Sequence, residues 1–186
     1  MDGVWTRTSL GRQELKVVRD DQGTVMASFD KWDQVVDEAY NRGVRDPIHL
    51  VSDGDRAIAQ AIQMVYGSKS AHQLCVFHLL QEYSRNIGYR GWSEAKALLE
   101  SQDMLTARAL AVKIVDLTDG QGRYWCRKAL AQGLTHLRTG QSRYKTTSRL
   151  ERFQREIRRR EHMGTLWSQH NLLVLLQKRG LITSTT

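Results

Sequence analysis

All the strand-type patterns of this 186-residue chain lie in its first 77 residues. The first 77 residues hold five short β-prone segments, which are bounded by turn residues and separated by two amphipathic helical segments. Beyond residue 78 the apolar residues recur at helical spacing almost to the C-terminus. This order predicts an α/β fold in which a sheet forms early and helices follow it.

The boundaries of the predicted elements follow from turn and capping residues. The predicted strands are Val4–Thr8, Glu14–Arg19, Thr24–Phe29, Ile48–Val51 and Ala71–Phe77. The predicted helices are Lys31–Arg42, Ala57–Tyr66, 79–87, 92–100, 103–117, 122–137, 148–162 and 165–179. No linker divides the chain into independent domains, so we interpret the helical block 79–137 as an insertion packed beside the sheet.

The composition is that of an ordinary globular protein. The hydrophobic fraction is 40% and there is one Pro, which argues against disorder. Cys75 and Cys126 alone cannot form a disulfide framework, and this favours a reducing, cytoplasmic setting. No apolar run reaches about 18 residues, and the N-terminus lacks the pattern of a signal peptide. We therefore expect neither a membrane partner nor secretion.

Positive charge is concentrated in the second half of the chain. Residues 1–100 carry 12 Lys and Arg against 14 Asp and Glu, whereas residues 101–186 carry 16 against 6. A basic half of this kind predicts a polyanionic partner, most commonly nucleic acid, because each neutralised phosphate releases counterions. A solvated basic surface without a partner is the alternative.

Much of this charge lies in residues 143–160, which we call the basic segment. Its basic residues are Arg143, Lys145, Arg149, Arg152, Arg155, Arg158, Arg159 and Arg160. Helical spacing places several arginines on one face, and the guanidinium fork suits phosphate. The apolar Leu150, Phe153 and Ile157 lie on another face, which we expect to dock on the core.

Asp53 follows the predicted strand Ile48–Val51 and precedes a glycine. Carboxylates at the carboxyl ends of strands can meet in a crevice of an open α/β sheet. Two-metal phosphoryl transfer requires such hard oxygen ligands for Mg²⁺. Asp-Gly also makes an ordinary turn, so Asp53 taken alone has two interpretations.

Glu151 likewise has a structural interpretation. Ser148 is a natural helix N-cap, and Glu151 three positions later completes a capping box. Taken alone, this spacing indicates the start of a helix as well as it indicates a metal ligand.

The segment from His72 to His78 contains a Cys-x2-His spacing, Cys75 and His78. A structural zinc site requires four ligands, and no second close Cys/His pair is present in the sequence. We therefore interpret Cys75 as a buried strand residue and place His78 at the end of that strand.

These motifs, in this order, resemble those of the Mutator-type (MULE-like) transposases and the related bacterial insertion-sequence enzymes. The resemblance extends over roughly residues 45–180. The matching motifs are Asp53-Gly54, Gln73-x-Cys75-x2-His78, Arg85-Asn86 and Thr147-Ser148-x2-Glu151-Arg152, followed by the arginine-rich stretch Glu156–Arg160. The chain departs from the family pattern in two places. Ser148 replaces an Asn, and the Arg-Asn pair comes a few residues late.

The resemblance implies an RNase H-like fold with a mixed five-stranded sheet and an α-helical insertion before the last catalytic Glu. Residues 1–78 would form the first part of this core and residues 79–137 the insertion. Residues 138–186 would return to the core with the basic helix and a C-terminal helix.

The resemblance also implies a DDE active site, in which Asp2, Asp53 and Glu151 bind two Mg²⁺ (or Mn²⁺) ions and no small-molecule cofactor is used. Asp2 would be the first acid because Asp2-Gly3-x-Trp5 is similar to the family's opening motif. DNA, both transposon ends and target, would be the partner of an enzyme acting as a homo-oligomer. The expected DNA-binding residues are Lys145, Arg149, Arg152, Arg155, Arg158, Arg159 and Arg160.

Family members usually carry a long helical region before the first acid. The resemblance therefore implies an N-terminally truncated catalytic domain, located in the cytoplasm and at the nucleoid if the host is bacterial. Two alternatives remain open. Instead of an active transposase, the chain would then be a transposase-derived DNA-binding remnant without catalysis or a structure-selective nuclease of the same fold.

Overall fold

The computed structural model describes residues 1–20, 25–45, 49–140, 150, 155, 157–159 and 168–185. The described part is mixed α/β, as predicted, and the chain divides into two compact units. Unit 1 comprises Met1–Asp46, Asp55–Ser68 and Thr147–Thr186, and unit 2 comprises Pro47–Gly54 and Lys69–Thr146.

The described strands form one sheet in each unit. They are β1 (Asp2–Thr8), β2 (Gly11–Arg19), β3 (Val25–Ser28), β4 (His49–Ser52), β5 (Ala71–Leu74) and β6 (Ser184–Thr185). In unit 1 the order is β1-β2-β3-β6, with β6 parallel to β3 and the other pairs antiparallel. In unit 2, β4 and β5 pair in parallel. All five predicted strands are present among the described residues, but they lie in two sheets and not in the single five-stranded sheet that the resemblance implies. The short strand β6 was not predicted, because two residues carry no periodicity.

The sheet of unit 1 buries one face. Side chains alternate along β1, so that Val4 is buried and Trp5 is exposed. Val4 packs in a core that also contains Leu15 and Val17 of β2. From the C-terminal part, this core receives Leu150, Ile157, Leu172, Leu176 and Ile182. Burying each such side chain contributes roughly 1.5–3 kcal/mol.

Two amphipathic helices of unit 1 pack on each other, α1 (Trp32–Asn41) and α2 (Arg56–Tyr66). Both match their predicted positions to within one residue. The α2 helix begins where it does because the Asp55 carboxylate accepts a hydrogen bond from the Ala57 backbone N–H at 2.7 Å.

Unit 2 is largely helical. Its described helices are α3 (Val76–Asn86), α4 (Trp92–Glu100), α5 (Met104–Leu117), α6 (Arg123–Lys128), a π-helix (Ala129–Gly133) and α7 (Thr135–Thr139). Their core includes Leu79, Tyr83, Leu98 and Ile114. None of the helices in the described residues combines the length and hydropathy that crossing a bilayer requires.

Two boundaries in unit 2 differ from the sequence prediction. The strand predicted to reach Phe77 ends at Leu74, and α3 begins at Val76, because the Cys75 carbonyl already accepts a helical hydrogen bond from Leu79. The predicted helix 122–137 is interrupted by the π-helix. Gly133 ends that turn, at a point where a Cβ would lie 2.6 Å from Leu79 Cδ1. An apolar run such as Cys-Val-Phe fits either strand or helix, so tertiary packing decided between them.

Candidate active site

Asp53 lies at the carboxyl end of a parallel strand pair. The register runs from His49 opposite Ala71 to Ser52 opposite Leu74. Asp53 directly follows this last pair and is half-buried. Because parallel strands end at a common edge, Asp53 is placed at the edge where open α/β sheets position their ligands.

Hydrogen bonds to Ser52 hold the backbone that carries Asp53. The Ser52 carbonyl accepts from the Cys75 N–H at 2.7 Å. The Ser52 hydroxyl accepts from the Gly54 N–H at 3.3 Å and lies 2.8 Å from His72 Nε2. Ser52 is completely buried. The carboxylate is thus attached to a turn that is fixed on both sides.

His72 on β5 was not predicted as a site residue, although it begins the segment in which a zinc site was considered. Burial lowers the pKa of His72, whereas the nearby Asp53 carboxylate acts in the opposite direction. A neutral imidazole can accept the Ser52 O–H at Nε2 when its proton is on Nδ1. The 2.8 Å contact between His72 Nε2 and the Ser52 hydroxyl therefore supports the turn that carries Asp53.

The position after Asp53 favours glycine for a steric reason. Gly54 has φ +94°, and a Cβ there would lie 3.2 Å from Leu74 Cδ2. We expect Gly54→Ala to lower the free energy of unfolding by about 2 kcal/mol, because it combines backbone strain with crowding. Chemical denaturation measures the change. Gly43→Ala is the matched control, because Gly43 has φ +105° and nothing within 4 Å of the added Cβ. An equal loss in both variants would show that Leu74 imposes no constraint.

Asp2 lies in β1 of unit 1, opposite Val17 of β2. Only 3% of its surface is exposed, and it shares the buried sheet face with Val4. Aspartates are rarely buried to this extent unless hydrogen bonds or ions compensate the charge. At the adjacent Gly3, an added Cβ would meet the end of the Glu14 side chain, which would have to move aside.

Glu151 lies outside the described residues, as do Lys145, Arg149, Arg152, Phe153 and Arg160. Its neighbour Leu150 is buried in the core that contains Val4 and Val17. Seven residues later in the sequence, Ile157 is buried in the same core. The predicted docking face of the basic segment is thus confirmed for these two residues.

Three arginines of the basic segment are described. Arg155, Arg158 and Arg159 are helical and exposed, on the same stretch whose Ile157 is buried. This arrangement presents guanidinium groups to solvent from a helix that is anchored by its apolar side.

The Gln-x-Cys-x2-His motif joins strand β5 to the helical block. The Gln73 side-chain carbonyl accepts from both the backbone N–H and the Nδ1–H of His136, each at 2.9 Å. The Thr135 hydroxyl donates to the His72 carbonyl at 3.2 Å. Cys75 is buried where α3 begins, and His78 is half-buried in the first turn of that helix. The strand position predicted for Cys75 and His78 was therefore wrong.

Among the described residues, no three His, Cys, Asp or Glu side chains are grouped so as to hold a metal ion. Asp2 belongs to unit 1 and Asp53 to unit 2.

Comparison with known proteins identifies the family. Residues 23–176 match the family described as "Transposase, Mutator family", and this range includes Asp53, Gln73 and Glu151. No curated protein matches the chain. Since the match covers most of the 186 residues, the chain belongs to the Mutator family of transposases.

Proposed function

We propose that the chain is the catalytic domain of a DDE-type DNA transposase, which cleaves DNA strands and joins them to a target. The observation that carries the proposal is the position of Asp53 at the carboxyl edge of β4 and β5, inside the range of the family match. A carboxylate on a turn fixed by Ser52 is the kind of ligand that two-metal phosphoryl transfer uses.

Asp2, Asp53 and Glu151 are the proposed ligands of two Mg²⁺ or Mn²⁺ ions. The donor set fits these hard cations, because all three side chains offer carboxylate oxygens. The burial of Asp2 and the half-burial of Asp53 support the proposal, since low-dielectric surroundings favour binding of a cation to a carboxylate. When bound, the ions would supply Lewis-acid stabilisation of charge on the phosphoryl oxygens.

Other residues of the chain hold the turn of Asp53 in place or bind DNA, and they take no part in the chemical step. Ser52 and His72 hold the turn of Asp53 in place. The arginines of the basic segment contact DNA phosphates, which fixes the register of the duplex without reading its sequence.

The proposed architecture is an RNase H-like core, residues 1–78 and 138–186, interrupted by the helical insertion 79–137. The helical composition of the described residues 79–137 supports an insertion at this position. We propose a homo-oligomer as the working form, because a transposon has two ends to be cut. A DNA substrate places the enzyme at the nucleoid if its host is bacterial.

The test is an assay on supercoiled plasmid with Mg²⁺ or Mn²⁺. A transposase nicks the DNA and produces a strand-transfer product. Nicking without any joined product would identify a structure-selective nuclease instead. DNA binding with no cleavage at any metal concentration would identify a non-catalytic remnant and overturn the proposal.

Reversing charge in the basic segment has a specific expected effect on DNA binding. The double variant Arg155→Glu/Arg159→Glu should bind duplex DNA at least tenfold more weakly and with a flatter salt dependence, because phosphate contacts are lost. A binding titration at several salt concentrations measures both quantities. The control Arg108→Glu/Arg123→Glu makes the same change of net charge at exposed positions of unit 2. Equal weakening in the two double variants would show that only net charge matters.

A further inference from the structure

A buried pair of side chains, Gln73 and His136, connects strand β5 with the end of the helical block. Gln73 is completely buried, and His136 is 1% exposed. Both hydrogen bonds from His136 end on the same oxygen, Gln73 Oε1, so they fix the rotamer of Gln73 as well as its position. With the bond from Thr135 to the His72 carbonyl, two consecutive residues of β5 are held by two consecutive residues of α7.

The Gln73 side chain is not optimised for stability alone. Its Nε2 atom is buried and has no hydrogen-bond partner among the described residues. A buried amide with an unpaired donor costs free energy, whereas an apolar residue of similar shape avoids that cost. Folds retain such costs mainly where a group has a positional or chemical role. The amide at this position therefore indicates a role beyond stability.

Strand β5 carries the support for the turn of Asp53. Gln73 lies between the two residues of β5 and its end that contact Ser52. On one side, His72 Nε2 lies 2.8 Å from the Ser52 hydroxyl, and on the other, the Cys75 N–H donates to the Ser52 carbonyl at 2.7 Å. A shift of β5 along its axis would change both contacts, and with them the position of Asp53.

The π-helix Ala129–Gly133 precedes the residues that hold β5. It accommodates one residue more per turn than an α-helix, so it changes which side of the following segment faces β5. Its last residue contacts the helical core, since a Cβ on Gly133 would lie 2.6 Å from Leu79 Cδ1. The direction of His136 thus depends on how the helical block packs. Single π-helical turns occur frequently at functional sites.

We propose that Gln73 and His136 are positioning residues for Asp53, through which the packing of the helical block determines how firmly the turn 52–54 is held. Without the pair, β5 keeps its pairing with β4 but loses its attachment to α7, and the turn opens more often. A carboxylate on such a turn binds a divalent cation more weakly, because ordering the turn consumes part of the binding free energy. The inference rests on the proposed function only for the role of Asp53 as a metal ligand.

Amide hydrogen exchange of the metal-free chain, followed by nuclear magnetic resonance, tests the pair. The N–H groups of Gly54 and Cys75 donate to Ser52, so they report opening of the turn. In Gln73→Leu both should exchange about tenfold faster relative to the amides of α4, because two hydrogen bonds are lost. His136→Phe keeps the backbone donor and loses only the Nδ1–H donor, so the expected change is about threefold. Because it disturbs the core less, His136→Phe carries the test if Gln73→Leu does not fold.

Thr118→Val is the matched control for a general loss of stability. Thr118 is completely buried in unit 2, and its hydroxyl donates to the Ile114 carbonyl at 2.7 Å and accepts from the Gly122 N–H at 2.9 Å. The control therefore also removes two buried hydrogen bonds while nearly preserving shape. It should leave the exchange of the turn unchanged relative to α4. An equal relative change in Gln73→Leu and Thr118→Val would refute the positioning role.

A Mn²⁺ titration of plasmid nicking gives a second readout. Gln73→Leu should raise the half-saturating Mn²⁺ concentration about tenfold and change the rate at saturating Mn²⁺ much less, whereas Thr118→Val should change neither. Unchanged exchange at the turn, with plasmid cleavage by the unaltered chain, overturns the positioning role and leaves the proposed function standing. Faster exchange in Gln73→Leu, with no cleavage by the unaltered chain at any metal concentration, supports the positioning of Asp53 and overturns the catalytic proposal.

Discussion

Asp53→Asn is expected to reduce metal-dependent DNA cleavage by about a thousandfold or more. Asparagine preserves the size of the side chain and its ability to form the turn, but removes the negative charge that attracts a divalent cation. Loss of about 4 kcal/mol of metal-assisted stabilisation in the transition state corresponds to a change of that size. Nicking of supercoiled plasmid, measured as a rate at saturating Mg²⁺, gives the ratio.

The matched control is Asp55→Asn, two residues further along. Asp55 caps α2, and asparagine is an equally good N-cap, so stability and cleavage should both be retained. Cleavage by Asp53→Asn at the rate of the control would refute the assignment of Asp53 as a ligand. Asp2→Asn and Glu151→Gln, in the same assay, show separately whether each of these carboxylates takes part.

Trp125→Ala is expected to lower the free energy of unfolding by about 3–5 kcal/mol. Only 2% of the Trp125 surface is exposed. Its ring packs edge-on against Tyr83 at a centroid distance of 4.8 Å, and its indole N–H donates to the Leu79 carbonyl at 2.8 Å. The substitution leaves a cavity and removes the indole hydrogen bond to the Leu79 carbonyl.

Urea denaturation followed by circular dichroism measures this loss. The adjacent Tyr124 is 73% exposed, so Tyr124→Ala should change stability by less than about 0.5 kcal/mol. A loss below about 1 kcal/mol for Trp125→Ala would contradict the core role that the structure assigns to it.

Local pattern was sufficient to predict most of the secondary structure. The alternation along β1 and the helical stripe of α1 both arise from the geometry of the chain itself, and the burial of Val4 and Val35 follows them. The prediction was wrong at Cys75-Val76-Phe77, where an apolar run without clear periodicity is compatible with either element. It also missed the π-helix, because the close contact of Gly133 with Leu79 joins residues far apart in sequence.

The candidate site, too, was predicted from the sequence only in part. Asp53 was found because a turn signal follows an apolar strand, and the order of the family motifs connected it with Glu151. The sequence offered no indication that Ser52 and His72 share a hydrogen bond, since they are 20 residues apart on different strands. Gln73 and His136, 63 residues apart, form a buried pair that no spacing could have predicted.

The sequence by itself determined the α/β class, the basic second half and the family of this protein, because periodicity, charge and motif order are properties of the chain alone. Only the tertiary structure decided that Arg7 lies opposite Arg12 and that His72 supports the turn of Asp53. Strand register and buried hydrogen bonds depend on how distant segments pack. Short-range patterns cannot specify those contacts, which form between residues of different strands.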